Sequence, residues 1–496
     1  MKKFIVVISF LAVSFFSCID AIPGIGPIDP SAADPIDNTG VKKKTFYVQN
    51  FKTNGVPTSV EAGLLVEGKY CHIWVGRGVN ITEEKAKSIA KIYDEDIYYK
   101  MMYYFSFTEE DEIKFDGEKV NTTLDIVNCL VNGDGKLNIV LADITDNYEK
   151  GKNNSYTGGY FWNGDLFKRD VNDPDLRYSN ECAAIFIDTY PATPGSEESN
   201  STLAHEMQHL MSFLNSFVYR VEKNELHIFD TWIDEGLSLS AEYLYLERHL
   251  TPRVNHYKND PSGLICKGNN FYVWGNRTDE SPYASLDDYA TVYLFFQWLR
   301  KQTDIDIYSY IMFSSSYNYN VVVDAYNAYN KNNGISVTKS NWDSLLKTWL
   351  ASNQIKSATG QYGYKGELSD IKAHAAPAQT SINLYPGEGV YSKTSSQPVT
   401  SGSGANIKYA YITTADVSAS YSANSTLLTY NGNTNLNGGS EKGITTGAAS
   451  EHIVPDARFM ASFYNEPIRI DARDMMGRDK WRESYSNGIS GLKGAK

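Results

Sequence analysis

The segment His205-Glu206-Met207-Gln208-His209 constrains the fold of this chain more than any other part of the sequence. In an α-helix, residues four apart lie on one face about one turn apart, so both imidazoles can reach a single metal ion. The segment is therefore predicted to be helical, with Ser199 or Ser201 as the N-cap. The alternative is a surface helix whose histidines and glutamate merely face solvent. A chance occurrence of this motif in a chain with 8 histidines has a probability on the order of one in a hundred, which favours the metal site.

A second polar helix, predicted over residues 230 to 243, supplies a candidate third ligand. Glu235 and Glu242 fall on the same face of this helix. A third ligand inside the first motif would require Gly at position 212 and His at position 215, but the chain has Ser212 and Asn215. The third ligand must therefore come from further along the chain. Taken in isolation, Glu235 would be interpreted as an ordinary exposed helical carboxylate.

Two stretches carry a resemblance to a known group of enzymes. The sequence Trp232-Ile233-Asp234-Glu235-Gly236 resembles the Trp-x-Asn-Glu-Gly signature of the gluzincin metallopeptidases. The sequence around the two histidines, together with Tyr-Leu-Phe-Phe-Gln-Trp-Leu at 293 to 299, is similar to the hyicolysin-type neutral zinc metallopeptidases. The resemblance covers about residues 42 to 352 and is strong at the two motifs and thin elsewhere.

The resemblance implies a zincin-like α+β fold and a set of roles. Zn²⁺ would be held by His205, His209 and Glu235, with Glu206 as the general base and Glu242 supporting a histidine ligand. Asp234 stands where the family commonly has Asn. Two histidines and one glutamate leave a coordination position for water, as in catalytic rather than structural zinc sites.

The resemblance further implies a donor that stabilises the developing oxyanion, a Tyr or His some distance after the third ligand. Tyr289 is the first candidate, followed by Tyr283 and Tyr293. His256 is the rival among the remaining histidines. In a chain with 36 tyrosines, packing is the competing interpretation for each tyrosine.

The N-terminus indicates export. Lys2 and Lys3 precede a stretch of apolar and small residues from position 4 to 17, which is typical of a signal peptide and too short to span a bilayer. Ser17-Cys18 resembles a relaxed bacterial lipobox, which predicts lipidation of Cys18. Cleavage after Ala21, as in an ordinary secreted protein, is the alternative. Residues 18–41 are then a lipid-anchored or flexible tether.

Composition excludes some partners. The net charge of −13 over 496 residues, without a basic run, argues against a nucleic-acid or anionic-lipid surface. The only membrane contact expected is the lipid anchor. Apart from Cys18, the cysteines at 71, 129, 182 and 266 permit zero, one or two disulfides. Nothing in the sequence predicts an oligomeric state.

The amino-acid composition changes near residue 366, and this change predicts the domain organisation. Residues 42–365 are predicted to form the α+β metallopeptidase domain, with helices at 81–105, 289–301 and 341–352. Residues 366–496, rich in Gly, Ser, Thr and Asn, are predicted to form a small β-rich region.

Three functions are compatible with these features. The favoured one is an exported zinc endopeptidase that hydrolyses proteins or peptides at the bacterial cell envelope, in the periplasm or at the cell surface, or as a secreted enzyme. One alternative is a non-catalytic, adhesin-like surface lipoprotein that retains a peptidase shell. Another is a zinc aminopeptidase, although the chain lacks the Gly-x-Met-Glu-Asn motif of such enzymes.

Overall fold

The computed structural model describes residues 41–471 except 53–55, 132, 154, 175, 223–224, 282–283, 336–337, 378–379, 394–403, 423–424 and 446–467. The predicted signal peptide, nearly all of the tether and Cys18 therefore lie outside the described residues, as does Tyr283. No helix among the described residues is long and apolar enough to cross a membrane.

Most described strands before residue 190 are followed by the helices of the site, and a second group of strands comes after residue 380. The strands are β1 (Lys43–Val48), β2 (Thr58–Glu67), β3 (Cys71–Gly76), β4 (Lys114–Phe115), β5 (Glu118–Lys119), β6 (Leu137–Ala142), β7 (Ser155–Phe161), β8 (Ala184–Asp188), β9 (Val221–Glu222), β10 (Glu225–Leu226), β11 (Ser381–Leu384), β12 (Gly389–Lys393), β13 (Ile407–Ile412), β14 (Val417–Ser418), β15 (Thr426–Asn431), β16 (Glu441–Ile444) and β17 (Ile468–Asp471). The helices are α1 (Glu83–Ile92), α2 (Tyr98–Phe105), α3 (Asp125–Val131), α4 (Glu197–Tyr219), α5 (Thr231–Leu246), α6 (Thr251–Asn259), α7 (Ile265–Gly268), α8 (Ala284–Gln302), α9 (Ile307–Met312), α10 (Asn320–Asn332) and α11 (Trp342–Ile355). This mixture confirms the predicted α+β class.

A seven-stranded mixed sheet of order β1-β2-β3-β6-β8-β7-β17 forms the centre of the molecule. Strands β3, β6 and β8 run parallel, whereas β7 runs antiparallel to β8. Because side chains alternate across a strand, Ile139 and Leu141 of β6 enter one core while Val140 enters the core on the other face. Burial on both faces explains why this strand is a continuous apolar run in the sequence.

Three predicted helices are confirmed with shifted ends. The helix predicted over 81–105 begins at Glu83, where Thr82 Oγ1 accepts a hydrogen bond from Lys85 N, and it continues through one π-helical turn into α2. The helices predicted at 289–301 and 341–352 are α8 and α11, and Asn341 caps α11. The largest differences are that α8 begins five residues before the predicted start and α11 ends three residues after the predicted end, because periodicity locates a helix but does not fix its ends.

Strands β11 to β16 lie within residues 366–496, in sheets of order β12-β15-β13-β14 and β11-β16, whereas β17 from the same stretch joins the main sheet. Arg277 and Glu388 tie this region to the helices through a buried ion pair, with Arg277 Nη2 2.7 Å from Glu388 Oε2. Leu428 shares the large core with Leu350 of α11. The boundary at residue 366 remains a prediction, because the two parts have a common core.

The cysteines at 71, 129, 182 and 266 are all free thiols. Cys71, Cys182 and Cys266 are buried, whereas Cys129 is exposed. Burial raises the pKa of Cys182 to about 11, which keeps it a thiol at neutral pH. Of the alternatives left open by the sequence, the structure thus has zero disulfides among its described cysteines.

Asp165 gives the fold a predicted pH dependence. Its side chain is fully buried, its Oδ1 accepts bonds from Asn180 N and Nδ2, and burial raises its pKa to about 7. Because the folded-state pKa exceeds the ordinary value of 3.8, the stabilising contribution is present below pH 4 and is lost as the pH rises to about 7. A shift of about three units corresponds to at most about 4 kcal/mol.

We expect Asp165→Asn to flatten this decline, since the amide oxygen still accepts from Asn180 but carries no titrating proton. Unfolding free energies measured in denaturant at pH 5 and pH 8 test this. The wild-type protein should lose about 2–3 kcal/mol more than the variant between the two values, because part of the decline lies below pH 5, and the exposed Asp170→Asn should behave like the wild type. Parallel profiles for wild type and Asp165→Asn would contradict the assignment.

Candidate metal centre

Two packed helices, α4 and α5, carry the predicted metal ligands, the predicted general base and Glu242. Helix α4 begins at Glu197, because Ser196 Oγ accepts the N–H of Ser199 at 3.1 Å. The predicted N-caps were therefore wrong, and both Ser199 and Ser201 lie inside the helix. Several cap-forming serines occur close together here, and the pattern alone does not choose between them.

Helices α5 and α8 contact each other closely at Gly236. A Cβ on Gly236 would lie 2.2 Å from Cε2 of Phe296, so this fully buried ring would have to move within a close-packed core. Gly236 directly follows Glu235, so the glycine brings the carboxylate-bearing turn of α5 into the core. This contact explains the last position of the Trp232 to Gly236 motif.

The structure brings His205, His209 and Glu235 together. One ligand atom from each residue lies within 4.8 Å of the others. Glu235 Oε2 lies 3.4 Å from His205 Nε2 and 3.7 Å from His209 Nε2. The two imidazole rings are 4.8 Å apart between centroids and inclined at 76°. All three residues are at most 1% exposed.

These distances fit a metal ion. Two ligands at about 2.05 Å from a tetrahedral zinc are roughly 3.3 Å apart, close to both observed separations. The same separations exceed a good N–H···O hydrogen bond, which is about 2.9 Å. The donor set of two imidazoles and one carboxylate suits zinc. Glu206, Glu235 and Glu242 are all at most 3% exposed, and burying that much negative charge is costly without a cation.

Glu242 positions the first histidine. Its Oε1 lies 2.9 Å from His205 Nδ1, and its Oε2 accepts a bond from Ser201 Oγ at 2.8 Å. The carboxylate thus holds the imidazole by Nδ1 and directs Nε2 toward Glu235. A carboxylate behind a histidine ligand sets the tautomer and the ring orientation. The predicted sharing of one helical face by Glu235 and Glu242 is the geometry that allows this.

The second histidine has a different set of neighbours. Ser238 Oγ lies 2.9 Å from His209 Nδ1 and 3.2 Å from its Nε2, and it donates to the backbone oxygen of Asp234. Asp234 Oδ2 lies 3.4 Å from His209 Nδ1. Asp234, whose departure from Asn the sequence left unexplained, therefore places a second carboxylate behind a histidine of the cluster.

Glu206 is held by the main sheet. Its Oε2 accepts the backbone N–H of Phe161, at the end of β7, at 3.0 Å. The side chain is 3% exposed and follows His205 directly on α4. One carboxylate oxygen is thus fixed in position next to the histidine cluster, an arrangement suited to a general base.

The candidate oxyanion donors lie on or near α8. Tyr289 is fully buried, edge-on to Trp274 at 4.7 Å between centroids, with the Arg253 guanidinium 4.5 Å from its ring centre. Tyr293 Oη lies 2.9 Å from His249 Nδ1 and accepts the N–H of Leu250.

The rival His256 is engaged in a buried pair. Its Nε2 lies 2.8 Å from Asp287 Oδ1, and Asp287 Oδ2 accepts a bond from Ser262 Oγ. Burial raises the pKa of Asp287, and His256 opposes that shift. This set of contacts holds the imidazole of His256 against α8.

Sequence reasoning missed three groups: Phe161, Ser238 and the Ser201 hydroxyl that binds Glu242. The two serines carried a signal, since Ser201 precedes His205 by four residues and Ser238 follows Glu235 by three, both helical neighbours. Phe161 carried none, because its contribution is a backbone N–H from a strand 45 residues away.

Comparison with known proteins is consistent with this geometry. The chain is 31% identical over 268 residues to the neutral metalloprotease ShpI of Staphylococcus hyicus, and the alignment covers 53% of this chain and 52% of that protein. The chain thus spans about half the length of the curated relative it matches. No family model matches the chain. The identity supports a relationship to metal-dependent proteases.

Proposed function

We propose that this chain is an exported zinc endopeptidase of the hyicolysin type, a gluzincin, that hydrolyses internal peptide bonds of proteins. The observation that carries the proposal is the buried cluster of His205, His209 and Glu235, with separations that suit a tetrahedral zinc ion, next to the anchored Glu206. The proposal includes export through the N-terminal signal and anchoring at the cell envelope through Cys18, or secretion after cleavage at Ala21.

When bound, zinc would supply Lewis-acid chemistry, polarising the scissile carbonyl and making a water molecule more acidic. Glu206 takes the proton of the attacking water and delivers it to the leaving amine. The Phe161 N–H keeps one oxygen of Glu206 in place, so the carboxylate need not reorganise between these two steps. Glu242 fixes the orientation of His205. Tyr289 is our proposed donor to the developing oxyanion.

Metal removal tests this proposal on the wild-type protein. We expect a strong chelator to abolish the hydrolysis of unstructured casein, and stoichiometric zinc, but not magnesium, to restore it. Mass spectrometry of the products distinguishes the candidate activities. Internal fragments indicate an endopeptidase, whereas stepwise loss of N-terminal residues indicates an aminopeptidase. A zinc-free protein that cleaves nothing would instead favour the non-catalytic surface binding module.

A further inference from the structure

The edge of the main sheet at β7 lies directly on the helix that carries the candidate metal site. Phe161 donates its N–H to Glu206 although it pairs with Ile185 of β8, so this N–H points away from β8. Two residues earlier, Gly159 lies so close to α4 that a Cβ there would be 2.8 Å from Thr202 Cγ2. The outer edge of β7 therefore ends at Glu206.

The short strand β17 covers this edge. It pairs in parallel with β7, with Ile468 opposite Ser155 and Asp471 opposite Gly159. Its direction takes it toward the metal site, because Gly159 precedes Phe161 by two residues, or roughly 7 Å along a strand. The backbone of β17 thus lies on the approach to Glu206.

An uncovered strand edge is a template on which an extended peptide adds as a further strand. At β7 such a peptide would run past Glu206 and the histidine cluster. On the proposed function this is where a substrate would lie, so β17 and an extended substrate would need the same backbone edge. A single row of N–H and C=O groups cannot pair with both.

The pairing of β17 is also weak enough to be displaced. It involves four residues, and its register shifts between Ile470 and Asp471. The Thr157 N–H donates to Asp146 Oδ2 at 2.6 Å, so it is unavailable to β17 and to a substrate alike. Short two-stranded contacts of this kind are marginal by themselves.

We propose that β17 is an internal cover of the substrate edge, which competes with protein substrates and must leave before they bind. This inference rests on the proposed function and adds regulation of the same site. With an effective concentration of about 1 mM for β17 at this edge and a Kd of about 0.1 mM for the same strand as a free peptide, the edge would be open in roughly one molecule in ten. The expected cost to the enzyme is therefore about a tenfold increase in KM.

The test uses full-length protein with Ile470→Pro, which removes a backbone N–H and disfavours the strand, and Ile470→Val as the matched control that keeps both. We expect Ile470→Pro to lower KM for casein about tenfold at unchanged kcat, whereas Ile470→Val matches the wild type. Arg469→Pro serves as a second disrupting variant. Zinc content and Tm of each variant identify any that fails to fold.

A binding measurement separates this inference from the proposed function. A fluorescent peptide of residues 464 to 475 should bind Ile470→Pro about tenfold more tightly than it binds wild type, whether or not casein is cleaved. If neither the wild type nor any variant cleaves casein but the peptide shows this difference, the proposed activity is wrong and the inference that β17 covers the β7 edge is still supported. Equal KM values together with equal peptide affinities would overturn the cover.

Discussion

Glu206→Gln is expected to lower kcat/KM for casein by roughly a thousandfold, within the range that a positioned general base contributes. Glutamine keeps the size of the side chain, and its amide oxygen can still accept the Phe161 N–H. It cannot take a proton from water at neutral pH, so the attacking nucleophile is no longer generated. Zinc content should equal that of the wild type, since Glu206 is not part of the proposed ligand set.

Two controls sharpen this expectation. Glu197→Gln makes the same chemical change in the first turn of the same helix, at an exposed position, and should leave the rate unchanged. Zinc should be determined on the same samples that are assayed. A Glu206→Gln protein that retains zinc and cleaves casein at the wild-type rate would rule out Glu206 as the base.

The helices of the site could be predicted because their signals are local. The spacing of His205 and His209, and that of Glu235 and Glu242, is meaningful only at a period of 3.6 residues, and α4 and α5 have that period. The structure adds how the two helices are paired. In the sequence, Gly236 is only the last residue of a motif. In the structure it is the residue at which α5 contacts α8.

The remaining parts of the site depend on contacts between distant segments. The hydrogen bond from Phe161 to Glu206 is donated by a backbone N–H, which every residue except proline carries. The residue type at position 161 therefore does not predict it. Strand β17 pairs with β7 across some 300 residues and has only four residues, too few for a periodic pattern. Ser196 was missed for a different reason, since three serines within six positions all had the chemistry of a cap.

Glu235→Gln is expected to weaken zinc binding by several hundredfold. A zinc site with four ligands has a binding free energy of about 10–16 kcal/mol, so one ligand accounts for roughly 2.5–4 kcal/mol. The glutamine also removes the negative charge that lies 3.4 Å from His205 Nε2 and 3.7 Å from His209 Nε2. Competition with a chromophoric chelator at fixed pH measures the zinc affinity without reference to catalysis.

Two further glutamate variants should weaken zinc binding less than Glu235→Gln does. Glu242→Gln should weaken zinc binding only about 10- to 100-fold, because that carboxylate orients His205 through Nδ1 and is not itself a proposed ligand. Glu247→Gln, at the exposed end of α5, should leave the affinity unchanged, since the surface ion pair with Lys100 has no part in the cluster. The order Glu235, Glu242, Glu247 follows from their places: Glu235 is a member of the cluster, Glu242 contacts His205 from behind, and Glu247 pairs with Lys100 at the surface. If Glu242→Gln released zinc more readily than Glu235→Gln, the ligand would be Glu242, about two turns further along the same face of α5.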